Sequence, residues 1–153
     1  MRCLGIDTGK KNVGYAVVES RTKGIYQLLD YGLLKIKEYQ QLEKLFKEKL
    51  EEYNFEVVAY ERILNLKGFK TGSYLLEENG ILKLLAEKNN LEVSELSPKE
   101  IRKHWFVRTK KELQEKIRKY FELKGKISEH TLDAIAIAGC ALGKIWKRGD
   151  SNG

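Results

Sequence analysis

Residues 55–61 read Phe55-Glu56-Val57-Val58-Ala59-Tyr60-Glu61. Apart from Glu56, the first six are apolar, and the run stops at an acid. A strand this apolar is buried on both faces, as strands in parallel sheets are. It predicts a sheet with helices on both sides. The chain before it has another pattern. Arg2 to Asp7 reads as a buried strand, Thr8 to Asn12 as a glycine-containing turn, and Val13 to Glu19 as a second strand. After a turn at Ser20 to Gly24, Ile25 to Ile36 reads as a third strand, bent at Gly32. Links this short predict an antiparallel meander.

Helices fill the intervals. Glu38 to Tyr53 places Leu42, Leu45, Phe46, Leu50 and Tyr53 on one face. Leu66 to Gly72 reads as a loop and Ser73 to Asn89 as a second helix. The apolar residues of that helix, among them Leu75, Leu76, Ile81, Leu82, Leu84 and Leu85, cover more than one stripe, which leaves surface for a partner. Leu91 to Leu96 is a fifth strand. Ser97-Pro98-Lys99-Glu100 then opens a short helix ending near Trp105, and Thr109-Lys110-Lys111-Glu112 opens another running to about Leu123. A last helix starts at Ser128-Glu129-His130-Thr131 and ends near Trp146. The expectation is one α/β domain over residues 1–147 and a frayed polar tail over 148–153. Its five-stranded mixed sheet has three antiparallel strands followed by two parallel ones.

A chain of 153 residues supports one core. No apolar run approaches the roughly 20 residues of a membrane span. The first strand is too short and too acidic for an export signal, so a cytoplasmic location is expected. Cys3 and Cys140 have neither pairing nor zinc-type spacing and read as small buried residues. His104 and His130 are the only histidines, which excludes a His-rich metal site. The formal charge is +7, from 29 Lys and Arg against 22 Asp and Glu. Lys99 to Lys126 alone holds eleven Lys or Arg against four Glu, so one segment carries the whole excess. A charge run is often a solvated helix face. Beside an acidic site it points to a polyanionic partner.

Three acids stand where acids are costly. Asp7 ends the first strand in Leu4-Gly5-Ile6-Asp7-Thr8-Gly9, and Glu61 ends the fourth. Asp133 lies in an apolar run from Leu132 to Ala138. Each has a bland alternative: a turn cap for Asp7, a polar strand end paired with Arg62 for Glu61, and a helix N-terminal charge for Asp133. His130 is one helical turn before Asp133, where it is either a capping residue or part of the site; Glu129 competes with it. Strands one and four can lie side by side, bringing Asp7 to Glu61. Three carboxylates brought close repel unless a divalent cation holds them, and oxygen donors favour Mg²⁺ or Mn²⁺. Two such ions suit in-line displacement at phosphorus.

Leu4-Gly5-Ile6-Asp7-Thr8-Gly9 with Gly14-Tyr15, Val58-Ala59-Tyr60-Glu61, and His130-Thr131-Leu132-Asp133-Ala134-Ile135-Ala136-Ile137-Ala138 resemble, in order, the three metal-site blocks of the RuvC family. The resemblance covers nearly the whole chain. It implies the RNase H-like fold and a divalent-metal-dependent endonuclease that resolves Holliday junctions as a homodimer. Asp7, Glu61, His130 and Asp133 would be the catalytic and metal-site residues. They would hold Mg²⁺, two ions by expectation, with Mn²⁺ able to substitute. Lys99, Arg102, Lys103, Arg108, Lys110 and Lys111 would contact nucleic acid; Arg102 and Lys111 match phosphate-contacting lysines of the family. The helix over residues 73–89 is the expected dimer interface.

The chain also departs from the family. Thr8 stands where Pro is usual. Leu64 takes the place of a stacking aromatic, a role left to Tyr60, Phe69 or Tyr74. Trp105-Phe106-Val107-Arg108 replaces a Gly-x-Gly stretch. The aromatic and basic run from Arg102 to Arg108 either stacks on bases or plugs the core with Trp105 and Phe106. Two alternatives stay open: a YqgF-like nuclease acting on RNA, and a module that binds branched DNA without cutting it. An actin-like phosphotransferase would need two such domains.

Overall fold

The computed structural model describes the backbone of residues 1–63 and 69–152, and the side chains of 1–63 and 73–149. The strands are β1 (Arg2–Asp7), β2 (Asn12–Thr22), β3 (Ile25–Lys35), β4 (Val57–Glu61) and β5 (Glu92–Leu96). The helices are α1 (Tyr39–Tyr53), α2 (Phe69–Lys88), α3 (Pro98–His104), α4 (Lys110–Tyr120) and α5 (Glu129–Asn152). The sheet order is β3-β2-β1-β4-β5. β1, β2 and β3 pair antiparallel, and β4 joins β1 and β5 in parallel. This is the mixed sheet expected from the sequence.

Alternation along β4 explains why it is apolar throughout. Val57 and Ala59 pack with α3, α4 and α5 on one face; Val58 and Tyr60 pack with α1 and α2 on the other. Tyr60 is 1% exposed and donates its hydroxyl to Glu95 Oε1 at 2.7 Å. It belongs to the core and does not serve as a free stacking ring. Cys3 and Cys140 are buried free thiols, and burial pushes Cys140 up to about 12. No helix among the described residues is long and apolar enough to cross a membrane.

The predicted caps form as written. Ser97 Oγ accepts the Glu100 N–H, and Glu100 returns the bond to Ser97 N–H. Thr109 accepts the Glu112 N–H, while Glu112 reaches back one residue further, to Arg108 N–H.

Four details differ from expectation. β3 runs through Gly32 in register, and the irregularities of the β2–β3 pair fall at Val17/Val18 and Glu19/Thr22. α2 begins at Phe69, so residues 69–72 are helical; one glycine costs only about 1 kcal/mol in a helix, too little to stop it. Positions 66–68 of the expected loop, and Leu64, lie outside the described residues, as does the Phe69 side chain. α4 stops at Tyr120 because the chain reverses through Glu122 (φ 53) and Gly125 (φ 83), with Arg118 donating to the Gly125 carbonyl at 3.0 Å. α5 continues through the polar tail to Asn152. Trp146 donates to Ser20 Oγ at 2.9 Å and Arg148 pairs with Glu92 at 2.6 Å, which fastens this end to the sheet.

α5 lies directly on the sheet, and two glycines allow it. A Cβ on Gly5 would stand 2.3 Å from the Ala134 carbonyl, and one on Gly14 would stand 2.1 Å from the His130 carbonyl. With hydrogens there, the helix backbone meets the strands, and the alanines of α5 fill the contact. The close approach carries His130 and Asp133 to the end of β1.

Candidate active site

β1 and β4 are parallel neighbours, with Ile6 opposite Tyr60. Both strands end one residue later, so Asp7 and Glu61 emerge together at one sheet edge. Asp133, one turn into α5, faces them. All three line one cleft, walled by Ile101, Leu113 and Ile137 and edged by Arg102 and Lys110. Asp7 and Asp133 side chains are only 15% and 13% exposed.

Asp7 and Asp133 have each found a cation or donor. His130 Nδ1 lies 2.8 Å from Asp7 Oδ2. Lys110 Nζ lies 3.2 Å from Asp133 Oδ2, and Gln114 donates to Asp133 Oδ1 at 3.3 Å. Drawn aside in this way, the carboxylates do not yet meet: among the described residues no three of His, Cys, Asp and Glu are grouped closely enough to hold an ion.

The electrostatics record the crowding. Burial, then Asp7 and Asp133, push the Glu61 carboxyl above the usual carboxylate range; Lys110 and Arg102 pull it back. Burial and then Asp7 raise Asp133, opposed by Lys110 and Gln114. The hydrogen bond to Asp7 raises His130 against its burial. Burial works against the Lys110 charge, but Asp133, Asp7 and Glu129 outweigh it and lift its pKa. An excess of negative charge on oxygen donors is what a divalent cation relieves. The oxygen donors of Asp7, Glu61 and Asp133 suit such an ion in their chemistry.

The basic residues divide. Arg102 and Lys110 reach the cleft. Lys99, Lys103, Arg108 and Lys111 lie outside it with exposed side chains. Two residues that the sequence did not single out support the site from α2. Glu78, 1% exposed, lies near the Gly9 N–H just beyond Asp7. Asn79 donates its amide to the Glu61 carbonyl at 3.3 Å. Burial pushes Glu78 up to about 7, with Asp7 and Glu77 adding to it. Glu78 Oε1 and Asn79 Oδ1 are buried without a hydrogen-bond partner. In the sequence they are two polar residues among several in this helix, and no local pattern marks them.

A family model described as crossover junction endodeoxyribonuclease RuvC matches residues 3–141. The chain belongs to the RuvC family. A RuvC crossover junction endodeoxyribonuclease of Brachyspira hyodysenteriae is 31% identical over 147 residues, spanning 90% of this chain and 91% of the relative. The Thermus thermophilus RuvC structure superposes with a TM-score of 0.81 over 97% of both chains at 21% identity. RuvC of the same organism in complex with Holliday junction substrate gives 0.80 over 96% of both, also at 21%. These two likenesses show the fold, which is RNase H-like. Membership makes the chain a hydrolytic, structure-specific endonuclease of the Holliday-junction-resolving class. The family depends on a divalent metal.

Proposed function

We propose that Asp7, Glu61, Asp133 and His130 form the centre at which this RuvC-family chain hydrolyses a phosphodiester of a four-way DNA junction. One observation carries the reading: acids from β1, β4 and α5 line a single cleft whose rim is Arg102 and Lys110. The four residues hold the divalent ions, two Mg²⁺ by this reading, with Mn²⁺ able to replace them. When bound, the metal supplies Lewis acidity and offsets the charge that gathers on phosphorus oxygens during in-line displacement.

The remaining steps belong to the protein. Arg102 and Lys110 bind the phosphate on either side of the scissile bond, as charge-assisted donors. The exposed lysines 99, 103 and 111, with Arg108, extend that grip along the backbone. His130 holds a proton at Nδ1 against Asp7 to a higher pH than free imidazole does. By this reading His130 either binds metal as the neutral ring or, as the cation, returns a proton to the departing oxygen. Ile101, Leu113 and Ile137 keep bulk water from the inner wall.

A two-fold junction calls for a two-fold enzyme, so the working unit is a homodimer. α2 is its interface by this reading, because Leu76 and Leu84 remain 46% and 51% exposed there. The test incubates the chain with a labelled four-way junction, a linear duplex and a structured RNA, with Mg²⁺ and with chelator. Paired symmetric nicks in the junction, lost on chelation and in Asp7→Asn, are expected. Cleavage that survives chelation, or of RNA alone, overturns the reading. Binding without cutting identifies a recognition module.

A further inference from the structure

Trp105 and Phe106 are adjacent in the α3–α4 connection and point opposite ways. Trp105 is 4% exposed and donates its indole N–H to the Ala136 carbonyl of α5 at 3.0 Å. The rings of Tyr26, His104, Tyr120 and Phe121 enclose it. Phe106 is 87% exposed, the most exposed of the large hydrophobic residues described. Its φ is 58, in the left-handed region that residues with a Cβ disfavour. Backbone bonds hold it there: Phe106 N–H donates to Lys103 at 3.2 Å and Val107 N–H to Arg102 at 3.0 Å. The fold thus presents an aromatic ring to solvent on a connection whose base is pinned in the core.

The surroundings say what the ring meets. Lys116 Nζ lies 5.5 Å from its centroid. Lys103 and Arg108 flank it in the chain with exposed side chains. Lys110, four residues on and at most about 14 Å away along the chain, reaches the acid cleft. An apolar ring among cations suits a nucleobase whose phosphates the cations hold. It suits an apolar protein surface poorly, because the same cations would be desolvated without partners.

We infer that Phe106 stacks on a base freed from pairing at the branch point of the junction, with Lys103, Arg108 and Lys116 on the neighbouring phosphates. The inference rests on the proposed junction-cleaving function. Base–aromatic stacking is lost as about a ten- to hundredfold effect. Phe106→Ala should slow cleavage of a fully paired junction by that factor. A junction built with unpaired bases at its centre should restore the rate to near wild type. Phe106→Trp keeps activity. Phe106→Asn, which tolerates the left-handed backbone, should lose activity while its melting temperature does not fall, which separates stacking from folding. Equal rates for Phe106→Ala and wild type on the paired junction overturn the inference, as does an equal loss on both substrates.

A second readout needs no cleavage. With chelator present, 2-aminopurine at the branch point should change fluorescence on binding wild type and not on binding Phe106→Ala. Identical responses overturn the stacking role even where cutting is observed. If wild type cuts nothing, the cleavage reading fails and this fluorescence difference still decides the stacking.

Discussion

The two faces of the sheet hold the site in different ways. On the α5 face the backbone of the helix touches β1 and β2, and buried alanines, Ile135 and Ile137 fill the contact. On the α2 face the support is polar: Glu78 near the Gly9 N–H, Asn79 bonded to the Glu61 carbonyl, with one oxygen of each side chain buried and unpaired. Close packing has few alternatives and fixes His130 and Asp133 in place. An incompletely satisfied polar contact costs stability and can rearrange. The α5 side therefore sets where the acids stand, and the α2 side adjusts the strand ends that carry Asp7 and Glu61.

Substitutions that break this contrast should differ in size. Gly14→Val should have the largest effect, because its side chain would start inside the His130 carbonyl. The atoms it would meet are backbone, so the cost exceeds the about 1–3 kcal/mol typical of core overpacking, and the expected result is a chain that does not fold cooperatively in a denaturant melt. Ile135→Ala, on the same face, should cost about 2–5 kcal/mol yet leave metal-dependent cleavage measurable at low temperature.

Glu78→Gln tests the other face and should act on rate rather than on folding. Loss of a buried supporting contact of a metal site costs about 10–100-fold in activity, read as cleavage rate at saturating Mg²⁺. Its pH signature is distinctive. The folded Glu78 carboxyl has been pushed up to about 7, whereas the unfolded chain ionises near 4.3. A raised acid stabilises the fold below the unfolded value, and that contribution fades as pH rises through about 7. Wild type should therefore lose stability relative to Glu78→Gln between pH 4 and pH 8, by on the order of 3–4 kcal/mol, read as a falling melting temperature. Parallel curves for the two proteins would show that Glu78 is not the buried acid described.

Divalent ions should sharpen the same point more gently. Glu61 and Asp133 are both raised by burial and by neighbouring acids, so their mutual repulsion is greatest at neutral pH. Mg²⁺ should raise the melting temperature more at pH 7.5 than at pH 5, and the difference should vanish in Asp133→Asn. The smallest effect is expected at the exposed cations. Lys99→Ala or Lys103→Ala should weaken junction binding uniformly and lower the slope of log affinity against log salt by about one.

Much of this was legible in the chain itself. The doubly apolar run before Glu61 announced the parallel strand, short turns announced the meander, and Ser97 with Glu100 announced a helix start. The three acids could be named because each interrupts apolar sequence. Other features depend on packing that no local pattern encodes. Nothing in Trp105-Phe106 tells which ring goes inward; the pocket of Tyr26, Tyr120 and Phe121 decides it. Glu78 looks like one more surface acid of a charged helix until α2 is laid against the loop after β1. Lys110 could be assigned to phosphate from the charge run, but its contact with Asp133 arises only when α4 packs on α5.

The hydrogens at Gly5 and Gly14 have a consequence for how activity can be lost. The placement of His130 and Asp133 is written in atoms that are absent from the two strands. A single added methyl at either position pushes the helix outward and carries both residues with it. Variants of this kind would keep every acid and every base intact in sequence and still be inactive, so an inventory of active-site residues would miss them.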